Sequence, residues 1–211
     1  GNSGGCRPKC LWHDREGAWL VKFRHTYDPK DIGRMEYKYN EVARKCGINV
    51  PDYKLLDGKY FASKRFDIEN GKRLHIATAG ALLNESISNP KLDYKVLLHL
   101  TGYLTQDSQQ VDEMFQRMVF NVLTDNKDDH VKNFSFICRE GKWSLAPAYD
   151  LTLCKEGYHG EHATSANNKG NPDIEDMLAV GESIRIPRRK GMEIINHMIN
   201  HCQEILSTRF E

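Results

Sequence analysis

Asn126-Lys127-Asp128-Asp129-His130-Val131-Lys132-Asn133-Phe134-Ser135 is the stretch on which the reading of this chain turns. Upstream of it, Val111, Met114, Phe115, Met118, Val122 and Leu123 recur at helical spacing, one apolar face of a helix that Ser108 is placed to cap. Downstream, residues 134–138 and 143–146 flank 139–142 as a short hairpin. A tight hairpin returns the chain close to where it started. Asp150, just past the second strand, is therefore expected beside Asn133.

That arrangement has a chemical use. The Asn133 amide oxygen and the Asp150 carboxylate form a pair of oxygen ligands for magnesium, with phosphates supplying the rest. Asp128, a third carboxylate, is placed to accept a proton from an attacking hydroxyl. Lys132, next to the asparagine, is a candidate to neutralise charge on a moving phosphoryl group. Base, metal asparagine and metal aspartate are the parts of phosphoryl transfer. Without Asn133 and Asp150, the two acids 128 and 129 would read as solvated helix-end residues. The five-residue step to Asn133 selects Asp128 over Asp129. His130 reads as a packed scaffold residue, and a plain surface lysine is the alternative for Lys132.

The first half of the chain supplies what such a site needs across from it. Residues 17–24 read as a strand, joined by a turn with Asp14 and Gly17 to an earlier strand at 9–12. Met35, Tyr39, Val42, Ala43 and Cys46 mark a helix over 35–46, with Gly47 as its C-terminal stop. Residues 53–56, the pair Asp57-Gly58 and residues 59–66 form a hairpin. Lys22 lies in an apolar strand, where an unpaired ammonium is costly, and Glu36 at the opening of the helix is its natural partner. The Gly1-Asn2-Ser3-Gly4-Gly5 loop exposes backbone N–H groups to anions, although it matches neither GxxxxGK[ST] nor GxGxxG.

After a polar break at 85–91, helices are expected from Leu92 onward, at 173–180 and at 190–207. The fold class is α+β: a β-rich lobe over 1–70 and a mainly helical lobe over 71–211, with the junction near 66–85.

Bulk properties narrow the field. Thirty basic and 29 acidic residues leave a net charge of +1, so no global basic excess marks a nucleic-acid binder. Six cysteines without a CxxC pair suit free thiols in a reducing cytosol, and no apolar run approaches the roughly 20 residues of a membrane helix. No signal peptide is visible, and a cytoplasmic location is the expectation. His159 and His162 read as surface histidines, and Arg185, Arg188, Arg189 and Lys190 as a solvated basic face.

The residues resemble one family, the HipA-like serine/threonine kinases that serve as toxins of bacterial toxin–antitoxin modules. The resemblance is carried by Gly4-Gly5-Cys6-Arg7-Pro8-Lys9, by residues 19–22 and 36–51, by Lys64-Arg65-Phe66-Asp67, and by 126–135. Leu145-Ala146-Pro147-Ala148-Tyr149-Asp150 completes it. It implies a two-lobed protein-kinase-like fold that transfers the γ-phosphoryl of ATP to a protein serine or threonine. Asp128 would then be the base, Asn133 and Asp150 the magnesium ligands, and Lys22 the α/β-phosphate contact held by Glu36. Gly4, Gly5 and Lys9 would belong to the phosphate loop, and the backbone near Lys64 and Phe66 would meet adenine. The family's targets imply a translation component as substrate and an antitoxin as protein partner, with DNA reached only through that partner.

Two departures stand out. The family's loop serine, a site of autophosphorylation, falls near Asn2; either Ser3 takes that role or the switch is missing. The family's N-terminal subdomain is absent from this sequence, either trimmed or carried on another chain. A small-molecule or lipid kinase on the same scaffold, and a non-catalytic ATP-binding module of a toxin–antitoxin complex, are the rival readings.

Overall fold

The computed structural model describes residues 7–86 and 92–206, so Ser3, Gly4 and Gly5 lie outside the described residues. The front of the molecule is an antiparallel sheet of β1 (Lys9–Asp14), β2 (Gly17–Lys22), β3 (Tyr53–Leu56) and β4 (Tyr60–Lys64), in the order β1-β2-β4-β3. The β1–β2 register sets Lys9 opposite Lys22, and the β2–β4 register sets Trp19 opposite Lys64.

Between β2 and β3 runs α1 (Ile32–Lys45). It begins three residues before the apolar periodicity indicates, so Glu36 stands in its second turn and not at its opening. Gly33 permits the early start: a Cβ there would lie 2.0 Å from the Lys59 carbonyl oxygen, so only glycine lets the helix start against the β3–β4 turn. The other end closes as the sequence indicates. Gly47 has φ +84°, its N–H bonds to the Arg44 carbonyl, and the Ile48 N–H reaches back to the Ala43 carbonyl. This paired closure satisfies carbonyls that the helix end would leave open.

A small hairpin, β5 (Ile68–Glu69) and β6 (Lys72–Arg73), leads into β7 (His75–Thr78) and the short α2 (Ala79–Leu83). Then come α3 (Tyr94–Thr105), α4 (Ser108–Leu123), β8 (Ser135–Arg139), β9 (Lys142–Leu145), α5 (Ile174–Ser183) and α6 (Arg188–His201). The 134–146 hairpin does not stand alone: β7 pairs with β8 and makes a three-stranded sheet, β7-β8-β9. Four residues, half of them polar, gave β7 no alternation to detect. The cap of α4 is Asp107, not Ser108; its carboxylate accepts the Gln109 N–H at 2.9 Å. The last helix stops at His201, short of residue 207.

The cores explain how the pieces sit. Trp19, Val21 and Ala62 form a small cluster within the front sheet. The inner face of α1 instead joins the large core: Tyr39, Val42, Ala43 and Cys46 are buried together with Phe115, Phe120 and Cys202. Tyr39 packs edge-on against Phe120 and donates its hydroxyl proton to the Thr124 carbonyl at 2.7 Å. The helix bearing Glu36 is therefore seated on the helical body.

Candidate active site

The segment 126–134 leaves the end of α4 and is pinned from beneath. Asn126 donates its backbone N–H to the Asn121 carbonyl at 3.0 Å and its side-chain amide to Asn121 Oδ1 at 2.8 Å. Asn121 in turn donates to the Tyr94 hydroxyl at 3.0 Å, and Tyr94 donates to Asp129 Oδ2 at 2.7 Å. His162 Nδ1 lies 2.9 Å from the same oxygen, and the Thr164 N–H reaches Asp129 Oδ1 at 3.3 Å. Asp129 is thus a buried carboxylate surrounded by donors, the condition under which burial is tolerated. From the other side, the start of α2 donates two backbone N–H groups, Ala79 to Phe134 O (2.8 Å) and Gly80 to Val131 O (3.0 Å).

With Asp129 turned inward, Asp128 turns outward, its side chain 56% exposed. Crowding by the cleft walls raises its pKa, and the charges of Asp150 and Asp129 add to this against His130 and Arg7. His130 Nε2 lies 3.7 Å from Asp128 Oδ1. His130 Nδ1 accepts the Lys132 N–H at 3.3 Å, which in the neutral ring leaves the proton on Nε2, facing Asp128. Asn133 spends its amide N–H on the Asp128 carbonyl at 2.6 Å. Its amide oxygen is then the atom it has for a ligand.

Asp150 arrives from β9 by way of Tyr149, whose hydroxyl donates to the Lys132 carbonyl at 2.6 Å and sits 2.5 Å from the Ser135 hydroxyl. Asp150 adopts φ +55°, left-handed backbone that a non-glycine residue occupies at a cost. Its carboxylate accepts from Lys22, which also donates to Glu36. Burial lowers the Lys22 pKa, but Asp150 and Glu36 outweigh it and the ammonium stays charged. Burial likewise pushes Asp150 up, and Lys22 and Lys9 more than reverse it, leaving its pKa lowered. Glu36, 2% exposed, has its pKa raised by burial and by Asp150 despite Lys22. Arg7 stands 3.8 Å from Glu36 and is bonded to Asp28 at 3.0 Å.

Lys22, Glu36, Asp128, Asn133 and Asp150 therefore gather where sheet, α1 and body meet, with Lys9 in the field of Asp150. Lys132 is exposed; its backbone is used and its ammonium has no ion pair among the described residues. Lys64 sends its side chain to Asp52 at 3.6 Å. The Arg65 N–H bonds to the Ala18 carbonyl, and Phe66 stacks on Tyr149 with centroids 5.7 Å apart, so the strand exit touches the residue preceding Asp150.

One expectation is overturned. His162 is not a surface histidine: its side chain is fully buried against Asp129, under the loop that carries Asp128. Tyr94, Asn121 and Thr164 belong to the same support and were not singled out from sequence. Asn121 left a trace there, as a polar residue inside the apolar run Met118-Val119-Phe120-Asn121-Val122-Leu123.

A family model described as the HipA-like C-terminal domain matches residues 1–206. The chain belongs to this family. A curated relative from Sinorhizobium fredii, named "Putative kinase Y4dM", is 27% identical over 169 residues, covering 72% of this chain and 41% of its own. HipA of Shewanella oneidensis MR-1, solved with HipB and operator DNA, superposes with a TM-score of 0.79 at 19% identity. That match covers 97% of this chain and 57% of that one. The Helicobacter pylori proinflammatory kinase CtkA matches at TM-score 0.58 and 14% identity, over 93% of this chain and 90% of its own. The fold is thus kinase-like as well as HipA-like. The chain spans less than two thirds of the length of Y4dM and of the Shewanella HipA chain.

Proposed function

We propose that this HipA-like chain transfers the γ-phosphoryl of ATP to a serine or threonine hydroxyl of a protein. One observation carries the reading: Lys22 from the sheet meets Glu36 from α1 and Asp150 from the body, within the electrostatic field of Asp128. Kinase-like relatives support it.

The residues present fit a magnesium–nucleotide complex. Asn133 and Asp150 offer oxygen donors only, the choice of a hard cation, and the Asn133 amide is oriented by its bond to Asp128 O. When bound, magnesium-ATP supplies the phosphoryl group and the cation that screens its charge. Lys22, held by Glu36, binds phosphate oxygens; Lys9 serves the phosphate end, a role also proposed from sequence for Gly4 and Gly5 outside the described residues, and the backbone from Lys64 to Phe66 meets the adenine. Asp128 accepts the hydroxyl proton, with the His130 Nε2–H beside it to orient the carboxylate. Lys132, exposed at the rim, is free to swing toward the transferred group.

Partners follow from the family. A protein substrate of the translation type and an antitoxin partner are proposed, the latter supported by the Shewanella HipA complex with HipB, in which DNA is also present. No helix among the described residues is long and apolar enough to cross a membrane. A reducing cytoplasm suits the free thiols among the described cysteines.

The test is label transfer from γ-labelled ATP with magnesium to bacterial lysate proteins, run beside nucleoside, sugar and lipid panels. Labelled protein seryl or threonyl residues are expected, and the label should vanish with Asp128→Ala. Label confined to small molecules or lipids would replace the protein substrate, and Asp128→Ala with wild-type turnover would remove the base assignment. Mass spectrometry of the same reaction should find phosphate on Ser3 if the loop switch survives; an active, unmodified chain sinks that point.

A further inference from the structure

Behind Lys22, the front sheet and the start of α1 enclose a cavity of about 200 Å³ that none of Asp128, Asn133 and Asp150 lines. Its polar wall is Arg7, Lys22, Arg24, Lys30 and Lys59, with Glu36 as the one carboxylate. Phe23, Ile32 and Tyr60 form an apolar wall. Five cations around one acid repel one another unless something answers their charge.

The described residues answer only part of it. Glu36 is spent on Lys22, and Arg7 is held by Asp28. Arg24 donates to the Asp28 and Thr26 carbonyls, at 2.8 and 3.2 Å, and Lys59 lies over the Tyr60 ring at 4.8 Å. Arg24, Lys30 and Lys59 have no carboxylate partner among the described residues. α1 adds to the same sign. Its first turn contains no acidic residue, Asp31 makes no side-chain capping bond, and Lys30 and Arg34 flank the start. A helix N-terminus is the positive end of its dipole, where acids and not bases are favoured. A cavity ringed by cations, set against a helix start whose capping acid Asp31 makes no side-chain bond to it, points to a bound anion.

We propose that this cavity binds a phosphomonoester. The group is the dianion carried on a phosphoserine or phosphothreonine side chain, or inorganic phosphate of the same chemistry. Arg7 and Arg24 provide forked donors suited to phosphate oxygens, Lys30 and Lys59 provide point charge, and the apolar wall takes the carrier's carbon atoms. The buried Lys22 and Glu36 border the cavity, so an occupant stands one side chain away from the ionic link to Asp150. The proposal rests on the cavity and goes beyond the kinase reading.

The experiment measures binding to the full chain of two probes, a short phosphoserine peptide and inorganic phosphate, each by calorimetry with a non-hydrolysable ATP analogue held at saturation. Saturable binding of at least one probe is expected, weakened at least about tenfold by Lys30→Glu/Lys59→Glu. The double variant changes exposed side chains outside the nucleotide cleft, so its affinity for the ATP analogue and its circular dichroism should match wild type. Stronger binding of the peptide assigns a carried phosphate; equal binding of both assigns the free anion. The proposal falls if neither probe saturates, if the unphosphorylated peptide binds as well, if the double variant binds equally, or if the ATP analogue displaces the probe.

Discussion

The front sheet and the helical body are built to different standards. The sheet closes over a small cluster of its own, Trp19, Val21 and Ala62, and its edge strand β1 leaves Leu11 and Trp12 substantially exposed. The body is one continuous core from α1 to α6, and it holds Asp128 through a buried polar support. α1 belongs by sequence to the front and by packing to the body. The difference teaches where each job can live. On the proposed reading, the base and the metal ligands sit on the body, and Lys22, the proposed phosphate contact, sits on the thin sheet. Only side-chain charge ties Lys22 to Glu36 and Asp150.

The sharpest way to separate the two regions is to remove one functional group from each. Asp128→Asn on the body is expected to cut turnover about 10²–10⁴-fold, the usual share of general-base catalysis. Folding stability should stay within about 0.5 kcal/mol, as for an exposed side chain, and affinity for a non-hydrolysable ATP analogue should hold. Lys22→Met on the sheet should do the reverse and weaken that affinity first. Turnover and analogue binding on both variants check the division; Asp128→Asn losing affinity while Lys22→Met keeps it would break the comparison.

Next in size is the support beneath the loop. Asp129→Ala strands the Tyr94 hydroxyl, the His162 ring and the Thr164 N–H in a buried site. A cost of about 3 kcal/mol is expected from the unpaired groups. Urea unfolding measures it. A cost under about 0.5 kcal/mol would mean that the body does not depend on this network to hold the loop that carries Asp128.

A smaller effect is expected at the seam between the regions. Gly33→Ala puts a Cβ where the Lys59 carbonyl stands, at 2.0 Å, so either α1 or the β3–β4 turn must move. Overpacking of this kind costs about 1–3 kcal/mol. Hydrogen exchange should show the loss in β4 and the first turn of α1, with α4 unchanged. Uniform acceleration through α4 would show that sheet and body open as one unit.

Much of this site was legible because its spacing is local. Asp128, Asn133 and Asp150 are tied by a loop and a hairpin, and the geometry of a hairpin is short-range physics. Lys22 stood out because an ammonium in an apolar strand demands a partner. The support was not legible for the opposite reason: His162 meets Asp129 across 33 residues, from a segment with glycines and no periodicity, and nothing local marks it as buried. Helix ends were blurred by similar choices. Asp107 and Ser108 are both good caps, and only the observed bond to Gln109 decides between them. Gly33 looks like a helix breaker until the Lys59 carbonyl beside it is seen. β7 is a strand because β8 offers it a ladder, not because its four residues prefer one.

The smallest expected effect is also the one that tests electrostatics alone. Crowding in the cleft and the charges of Asp150 and Asp129 raise the Asp128 pKa, whereas His130 lowers it. If Asp128 is the proposed base it works only when ionised, so turnover is expected to fall as pH drops through this raised pKa, at a higher pH than for an ordinary aspartate. His130→Gln removes this lowering influence. The acid limb of the pH–turnover profile should then move further up, with the alkaline side unmoved. A shift toward lower pH would mean that His130 acts on Asp128 chiefly by shielding it from water. No shift at all would mean that the 3.7 Å contact is not felt by the Asp128 carboxylate, and that the body positions Asp128 through Asp129 alone.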